Sequence, residues 1–280
     1  MGEAAERWRH LVEGRIQEME ELRGTRVDGG AFWNKRARQF ARGPLSTADK
    51  DPMLPRLRRA AGAASRRATV LDVGAGPGRF SLAIADRAER VVAVDPSSKM
   101  LAILRRRARE AGIANVKTVT GTWMDAAVEP ADVVLCSHVL PLIADAVPFV
   151  TKLDAMARRR VLLYVGAFSA DAVLDPFWRY FHDTPRRPGA TWVDAVRLLE
   201  DMGIRPDIEV VEVRNRNRYA TVADAVENYR DQLALPKTAA VDRDLHRLIE
   251  PWLQRRDGQL SAPFRSQPAA ILSWSPAQGF

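Results

Sequence analysis

Short apolar runs alternate with amphipathic stretches through the middle of the chain. Apolar runs bounded by turns predict buried strands, whereas apolar residues spaced three and four apart predict helices. The predicted strands are 69–73, 90–94, 116–120, 132–136 and 160–165, and the predicted helices between them are 80–88, 99–111 and 145–157. A regular alternation of strand and helix indicates a parallel sheet covered by helices on both faces.

Both ends of the chain depart from this alternation. The first segment has an apolar stripe from Trp8 to Leu22 that predicts an amphipathic helix closed by Gly24, and a second helical stretch is predicted over 32–41. After the fifth strand the pattern predicts a helix at 191–202, a strand at 208–213, helices at 221–235 and 238–255, and a last strand at 269–274. A strand that returns after a long helical excursion indicates an insertion over one end of the sheet.

Composition narrows the class of protein without deciding its partner. The 280 residues carry 43 Lys and Arg against 35 Asp and Glu, a net charge of +8 that keeps a nucleic-acid partner open. The single cysteine, Cys136, excludes an intramolecular disulfide and a cysteine-rich metal site. No apolar run approaches the roughly 20 residues that span a bilayer, and the segment 1–10 is too charged for a secretory signal, so we expect a cytoplasmic protein.

The most informative stretch is a strand, turn and helix over 70–80, with glycine at 74, 76 and 78. Glycine lets the backbone turn tightly and approach a ligand, and the following helix N-terminus offers free N–H groups. Asp72 lies inside the apolar run, where an unpaired charge is costly, which favours a ligand over a turn-stabilising role. The pattern therefore predicts a ligand site at the end of the first strand.

A second carboxylate follows the next strand. Asp95 lies at its carboxyl end, where a carboxylate can accept both hydroxyls of a ribose. The alternative is that Asp95 caps the next helix, a role for which Ser97 and Ser98 are better suited. The glycine spacing is G-x-G-x-G, which differs from the G-x-G-x-x-G of dinucleotide-binding dehydrogenases and places that class last.

With Asp72 and Asp95, the run LDVGAGPG at 71–78 resembles the first motif of class I S-adenosylmethionine-dependent methyltransferases of the small-molecule type, over about residues 68–165. The resemblance implies an α/β fold, a Rossmann-like, seven-stranded, mostly parallel sheet with helices on both faces. Together with the pattern along the chain, it predicts an N-terminal helical arm or cap at 1–62, a donor-binding core at 63–215, a helical insertion at 216–266 that could serve as a lid or substrate cap, and the last strand and tail at 267–280.

The resemblance also implies S-adenosylmethionine as methyl donor and S-adenosylhomocysteine as product. Asp72 would orient the methionine amino group, Asp95 would bind the ribose hydroxyls, and Thr122 stands where many relatives carry an acid near the adenine. The implied donor-binding residues are Asp72, Gly74, Ala75, Gly76, Gly78, Asp95, Pro96, Ser97, Met100, Thr122, Trp123 and Ser137.

His138 follows the fourth strand and is the candidate general base or acceptor-orienting group, with an ordinary loop histidine as the equal alternative. Candidate acceptor-binding residues are Trp33, Trp178, Tyr180, Arg218 and Tyr219. Packing of the cap is the commoner use of such aromatic residues. No cluster of His, Asp and Glu has the spacing of a metal site, so none is expected.

The resulting hypothesis is an enzyme that transfers a methyl group to an O, N or C atom of a small molecule by in-line displacement. An RNA methyltransferase is the first alternative, although the fourth strand lacks an Asn-Pro-Pro-Tyr type loop and a Pro-Cys nucleophile. A non-catalytic scaffold that binds the donor is the second, against which the intact glycines and acids argue. The oligomeric state stays open.

Overall fold

The computed structural model describes residues 2–24, 30–34, 37, 48–62, 67–166, 172–215 and 217–276. Most of the helix predicted over 32–41 lies outside these residues, and its described members, 32–34 and 37, are helical. The strands are β1 Ala68–Val73, β2 Ala88–Asp95, β3 Val116–Thr120, β4 Ala131–Ser137, β5 Ala157–Gly166, β6 Asp207–Arg214, β7 Gln254–Arg256, β8 Gln259–Ser261 and β9 Ser266–Trp274. The helices are α1 Glu3–Arg23, α2 Met53–Gly62, α3 Arg79–Ile84, α4 Ser98–Glu110, α5 Ala146–Met156, α6 Asp175–His182, α7 Trp192–Asp201, α8 Val222–Gln232 and α9 Ala239–Ile249.

Seven strands form one sheet in the order β3-β2-β1-β4-β5-β9-β6. Strands β1 to β5 pair in parallel, and β9 runs antiparallel to both β5 and β6. Apolar side chains are buried on both faces, against α1, α5 and α7 on one side and α2 and α3 on the other. The predicted Rossmann-like, mostly parallel seven-stranded sheet is confirmed.

Two predicted elements are wrong in detail. The helix predicted over 80–88 ends at Ile84, and β2 already begins at Ala88. The helix predicted over 238–255 ends at Ile249, because Pro251 lacks the N–H that would continue it. The residues beyond it form the β7–β8 hairpin, closed by Asp257 and Gly258 with φ of 49° and 77°. Positive φ at both positions is the geometry of a two-residue hairpin turn, and the Asp-Gly pair is its sequence signal.

The arm helix α1 lies along the sheet's helical layer and extends to a second apolar cluster. Trp8 is fully buried, and its Nε1–H donates to the carbonyl of Ile143 at 2.8 Å. At the other end, Met19 packs against the second cluster and Arg23 Nη2 donates to the carbonyl of Asp231 at 2.8 Å. The apolar stripe read from the sequence is therefore a packing surface.

This second cluster belongs to a cap, which we define as residues 172–182 and 219–261. Its core joins α6, α8 and α9 with the β7–β8 hairpin. The chain enters the cap from the carboxyl ends of β5 and β6 and returns from it into β9, which runs the opposite way. The cap therefore stands at the carboxyl edge of the sheet, where parallel α/β folds bind ligands. The predicted domain boundaries stay a prediction, and the structure adds α6 to the cap.

Two kinds of feature are absent from the residues that the structure describes. No helix in this part of the chain is long and apolar enough to cross a membrane. No group of three or more His, Cys, Asp and Glu side chains within the same residues is arranged to hold a metal ion.

Candidate functional site

The glycine turn connects β1 to α3 at the carboxyl edge. Gly74, Gly76 and Gly78 all have left-handed φ, at 72°, 55° and 87°. A Cβ on Gly74 would clash with the side chain of Val139. Glycine is therefore required here both by the left-handed φ and by the lack of space for a side chain. A Cβ on Gly76 would meet nothing within 4 Å, so the turn is open on that side. The N–H groups of Gly74 and Ala75 both donate to the carbonyl of Val94, at 2.8 and 3.0 Å, and tie the turn to β2.

Asp95 joins the turn to the start of α4. Its Oδ2 accepts from the Gly76 N–H and its Oδ1 from the Ser97 N–H, both at 2.8 Å. Ser97 Oγ caps α4 by accepting from the Met100 N–H at 3.1 Å, so the cap of that helix is Ser97 rather than Asp95. Burial raises the pKa of Asp95, and the two backbone bonds oppose the shift. The carboxylate is thus held at the open side of the turn without being the helix cap.

Asp72 is buried near the carboxyl end of β1, with 2% of its surface exposed. Ser81 Oγ–H donates to its Oδ2 at 2.6 Å. Burial, with a smaller effect from the negative Asp95, raises the pKa of Asp72 to about 6. Within the described residues no basic side chain forms an ion pair with it. A bound cation would stabilise the charged form of such a carboxylate. Ser81 was not identified from the sequence, although it lies one turn into the helix after the glycines.

The loop after β3 is held from beneath by a lysine that the sequence did not single out. Lys152 Nζ donates to the carbonyls of Trp123, Met124 and Ala126 at 2.7, 3.0 and 2.9 Å, and lies 4.7 Å from the Trp123 ring centroid. The Trp123 side chain is buried, and its Nε1–H donates to the carbonyl of Phe149 at 3.2 Å. An adenine contact here would therefore come from the loop backbone and not from the indole.

The remaining donor candidates of this region lie around the start of α4 and the loop after β3. Thr122 is exposed, with its Oγ1 2.5 Å from Asp125 Oδ2. Pro96 is half-buried, whereas Met100, in the first turn of α4, is buried. Met100 therefore offers a donor less accessible surface than Pro96 does.

The loop after β4 meets the glycine turn through Val139, whose side chain covers Gly74. Ser137 is half-buried at the end of β4. His138 is exposed, has a φ of 58°, and donates its backbone N–H to the carbonyl of Tyr164 at 2.8 Å. Its ring centroid lies 4.5 Å from that of Tyr164. A left-handed φ at a non-glycine residue is uncommon and concentrates at functional sites.

Two of the acceptor candidates form the interior of the cap. Trp178 is 1% exposed and lies against both His182 and Arg186. Its ring centroid is 4.3 Å from that of His182 and 4.1 Å from the guanidinium carbon of Arg186. Tyr219 is 6% exposed, and its hydroxyl donates to Asn228 Oδ1 at 3.3 Å. Both side chains pack the cap, which is what the packing alternative expects.

The other three acceptor candidates are more accessible. Tyr180 is 52% exposed, and its hydroxyl accepts from Arg247 Nη2 at 2.8 Å. Arg218 is exposed, and its Nη1 donates back to two carbonyls of its own loop, at 3.1 and 3.0 Å. Trp33 is half-buried in the arm, edge-on to Phe32 at 5.1 Å. The structure thus does not gather the five candidates into one cluster.

An open depression of about 740 Å³ lies at the opposite edge of the sheet. It is lined by the loop between α3 and β2, the segment 112–115, and nearby charged side chains such as Asp86. None of the candidate residues lines it. The glycine turn and both acids are therefore separate from this depression.

The chain is similar to several known proteins over part of its length. Residues 70–159 match a family model described as a methyltransferase domain. The chain is 38% identical over 151 residues to an uncharacterized protein of Haemophilus influenzae, covering 52% of this chain and 54% of that one. It is 34% identical over 101 residues to the ubiquinone biosynthesis O-methyltransferase of Agrobacterium fabrum, covering 36% and 40%. The chain thus spans about half or less of the length of these curated relatives.

Two solved structures share the fold over most of the chain. The YcgJ protein of Bacillus subtilis aligns with a TM-score of 0.53 at 17% identity, covering 81% of this chain and 98% of that one. The magnesium protoporphyrin IX methyltransferase of Synechocystis, solved with bound S-adenosylhomocysteine, aligns with a TM-score of 0.52 at 15% identity, covering 99% and 100%. Identities this low show a common fold, and the family match lies on the segment that holds the glycine turn and both acids.

Proposed function

We propose that this chain, which carries a methyltransferase domain on the class I S-adenosylmethionine-dependent methyltransferase fold, transfers a methyl group to an O, N or C atom of a small molecule. The observation that carries the proposal is the position of the Asp95 carboxylate. It lies at the open side of the glycine turn, held by the Gly76 and Ser97 N–H groups at 2.8 Å. Each oxygen of a carboxylate there keeps a lone pair that could accept from a vicinal hydroxyl, and Gly76 has no side chain in the way.

The residues of the turn fit S-adenosylmethionine in charge as well as in shape. The amino group of the donor is a cation, and Asp72 is a carboxylate whose pKa is raised by burial, so a cation beside it would favour its charged form. When bound, the donor supplies a methyl group on a positively charged sulfur. That sulfur is the leaving group, and it needs no metal to leave. Asp72 would hold the ammonium, and Asp95 would hold the ribose hydroxyls.

The rest of the chain would contribute position and exclusion of water. The cap leaves and rejoins the sheet at the carboxyl edge, the same edge at which β1 ends in the glycine turn. An acceptor held between cap and turn would be aligned with the methyl group, which converts a bimolecular step into an intramolecular one. His138 projects from the loop that covers Gly74, and we propose it as the base for an acceptor hydroxyl.

The relatives support an oxygen acceptor. Several of them are named as ubiquinone biosynthesis O-methyltransferases, at 32–34% identity over 101 residues. That similarity covers 36% of this chain, and the acceptor would contact the cap, so the oxygen acceptor is part of the proposal. RNA methylation and a non-catalytic scaffold become outcomes of the tests below.

The donor site is tested by calorimetry with S-adenosylhomocysteine. Asp95→Ala removes two charge-assisted hydrogen bonds and is expected to weaken binding by roughly 100-fold. Asp86→Ala is the matched control, because Asp86 is an exposed carboxylate at the opposite edge of the sheet, with 63% of its side chain accessible. Equal affinity of the Asp95→Ala variant and the control would contradict the assignment.

The acceptor class is tested with a labelled methyl donor. We expect label to enter small molecules of a cell extract from which macromolecules have been removed. Label that enters only the RNA fraction, with binding that falls steeply as salt is raised, would establish the RNA alternative. Donor binding without transfer to either fraction would establish the scaffold.

A further inference from the structure

The N-terminal arm contacts the donor-binding core at the start of α4. Asn34 Oδ1 accepts from the Ser97 Oγ–H at 2.7 Å and from the Lys99 N–H at 3.1 Å. The same arm segment, 30–34, approaches the neighbouring carbonyl, because a Cβ on Gly30 would come within 3.1 Å of the Pro96 oxygen. The arm is thus seated on Pro96, Ser97 and Lys99, which follow Asp95 closely in the chain.

These contacts complete the capping of α4. The first N–H groups of a helix have no partner within the helix and need an acceptor from outside it. Ser97 Oγ accepts from the Met100 N–H, as an N-cap residue does, and its O–H donates to Asn34 Oδ1. Asn34 then takes the Lys99 N–H as well. One helix end is therefore capped by two side chains that are 63 positions apart in the chain.

The hydrogen bonds that cap α4 are connected to the candidate ribose site. The backbone N–H of Ser97 donates to Asp95 Oδ1, and Asp95 Oδ2 accepts from the Gly76 N–H. A row of hydrogen bonds therefore runs from Asn34 through Ser97 to Asp95 and the glycine turn. A change in how Asn34 holds Ser97 would shift the corner that orients the Asp95 carboxylate.

We propose that Asn34 is a positioning residue for donor binding, which acts by holding Ser97 and through it Asp95. The inference rests on the proposed function. Since the contact between arm and core and the binding of the donor would share this corner, each would strengthen the other by the same factor. The substrate-facing chemistry remains with Asp95, and Asn34 itself is not assigned a contact with the donor.

The test compares Asn34→Ala and Asn34→Asp in the full chain, by calorimetry with S-adenosylhomocysteine. Loss of one or two neutral hydrogen bonds is expected to weaken binding about fivefold in Asn34→Ala. Asn34→Asp keeps an acceptor oxygen, and a negative charge is favoured at a helix N-terminus, so affinity within about twofold of wild type is expected. Asn217→Ala, in an exposed loop, is the matched control.

The outcomes separate this inference from the function on which it rests. If the wild type does not bind S-adenosylhomocysteine, the proposed function fails. If it binds, and Asn34→Ala binds equally well while melting at a lower temperature, Asn34 is merely structural and the inference is overturned.

A second measurement needs no variant and therefore remains informative if Asn34→Ala does not fold. Hydrogen exchange of the wild type should slow in both 30–34 and 95–100 when S-adenosylhomocysteine is added. Protection of 95–100 without any change in 30–34 would overturn the inference.

Discussion

Replacing Asp72 by asparagine should make the donor-free protein more stable. Burial raises the pKa of Asp72 from 3.8 to about 6 in the folded state, so folding opposes the charged form. Each pKa unit corresponds to about 1.4 kcal/mol, and the difference of roughly two units gives about 3 kcal/mol at pH 7 as an upper value. An amide carries no charge, and its oxygen can still accept from Ser81 Oγ–H.

The pH dependence identifies the charge as the cause. Because the folded-state pKa is higher than the unfolded-state value, the folded protein binds the proton more tightly between about pH 4 and pH 6, and wild-type stability falls as pH rises through that window. The advantage of Asp72→Asn should therefore be about 3 kcal/mol at pH 7, roughly half of that at pH 5, and small at pH 4.

Urea unfolding at the three pH values measures this difference through the midpoint and slope of the transition. Asp132→Asn is the matched control, because Asp132 is also buried in the sheet but lies 3.5 Å from the Arg159 guanidinium and accepts from the Thr69 N–H. The Asp132→Asn variant should be less stable than the wild type at pH 7. An Asp72→Asn variant that is no more stable than wild type at pH 7, or equally stabilised at pH 4, would refute the reasoning.

The same change should reduce affinity for the donor. A neutral amide cannot compensate an ammonium group, so Asp72→Asn should bind S-adenosylhomocysteine more weakly at pH 7. Wild-type affinity should itself fall by about tenfold between pH 7 and pH 5, because only about a tenth of Asp72 is ionised one unit below its pKa. If Asp72→Asn binds S-adenosylhomocysteine as tightly as the wild type does, the charge of Asp72 does not hold the ammonium group and this part of the proposal is wrong.

Two further predictions concern the loops beside the turn. Lys152→Met should lower the unfolding free energy by about 2 kcal/mol, because three carbonyls at 2.7–3.0 Å lose a charged donor, and an unchanged melting temperature would contradict this. His138→Ala should reduce the methylation rate of a hydroxyl acceptor by about 100-fold or more. The pH–rate profile of the variant should no longer show the titration of a general base. A parallel fall at every pH would instead indicate an orienting role for His138.

Most of the fold was predictable because its signals are local. The strands β1 to β5 and the helices between them follow from apolar runs and periodicity, and their observed bounds differ from the predicted ones by a few residues. The β7–β8 hairpin was missed because its strands, Gln254–Arg256 and Gln259–Ser261, lack alternating apolar residues. Part of its support comes from Tyr219, which pairs with Leu260 from a distant part of the chain.

The sequence by itself determined the parallel sheet, the glycine turn and the positions of Asp72 and Asp95. Strand, turn and helix are contiguous there, and parallel strands bring their carboxyl ends to one edge. Only the tertiary structure decided which residues support that site. Asn34 on Ser97, Lys152 under the loop at Trp123, and Trp178 inside the cap are contacts between segments far apart in the chain. Periodicity shows that a face is apolar or a helix end needs a partner, but the partner is chosen by packing.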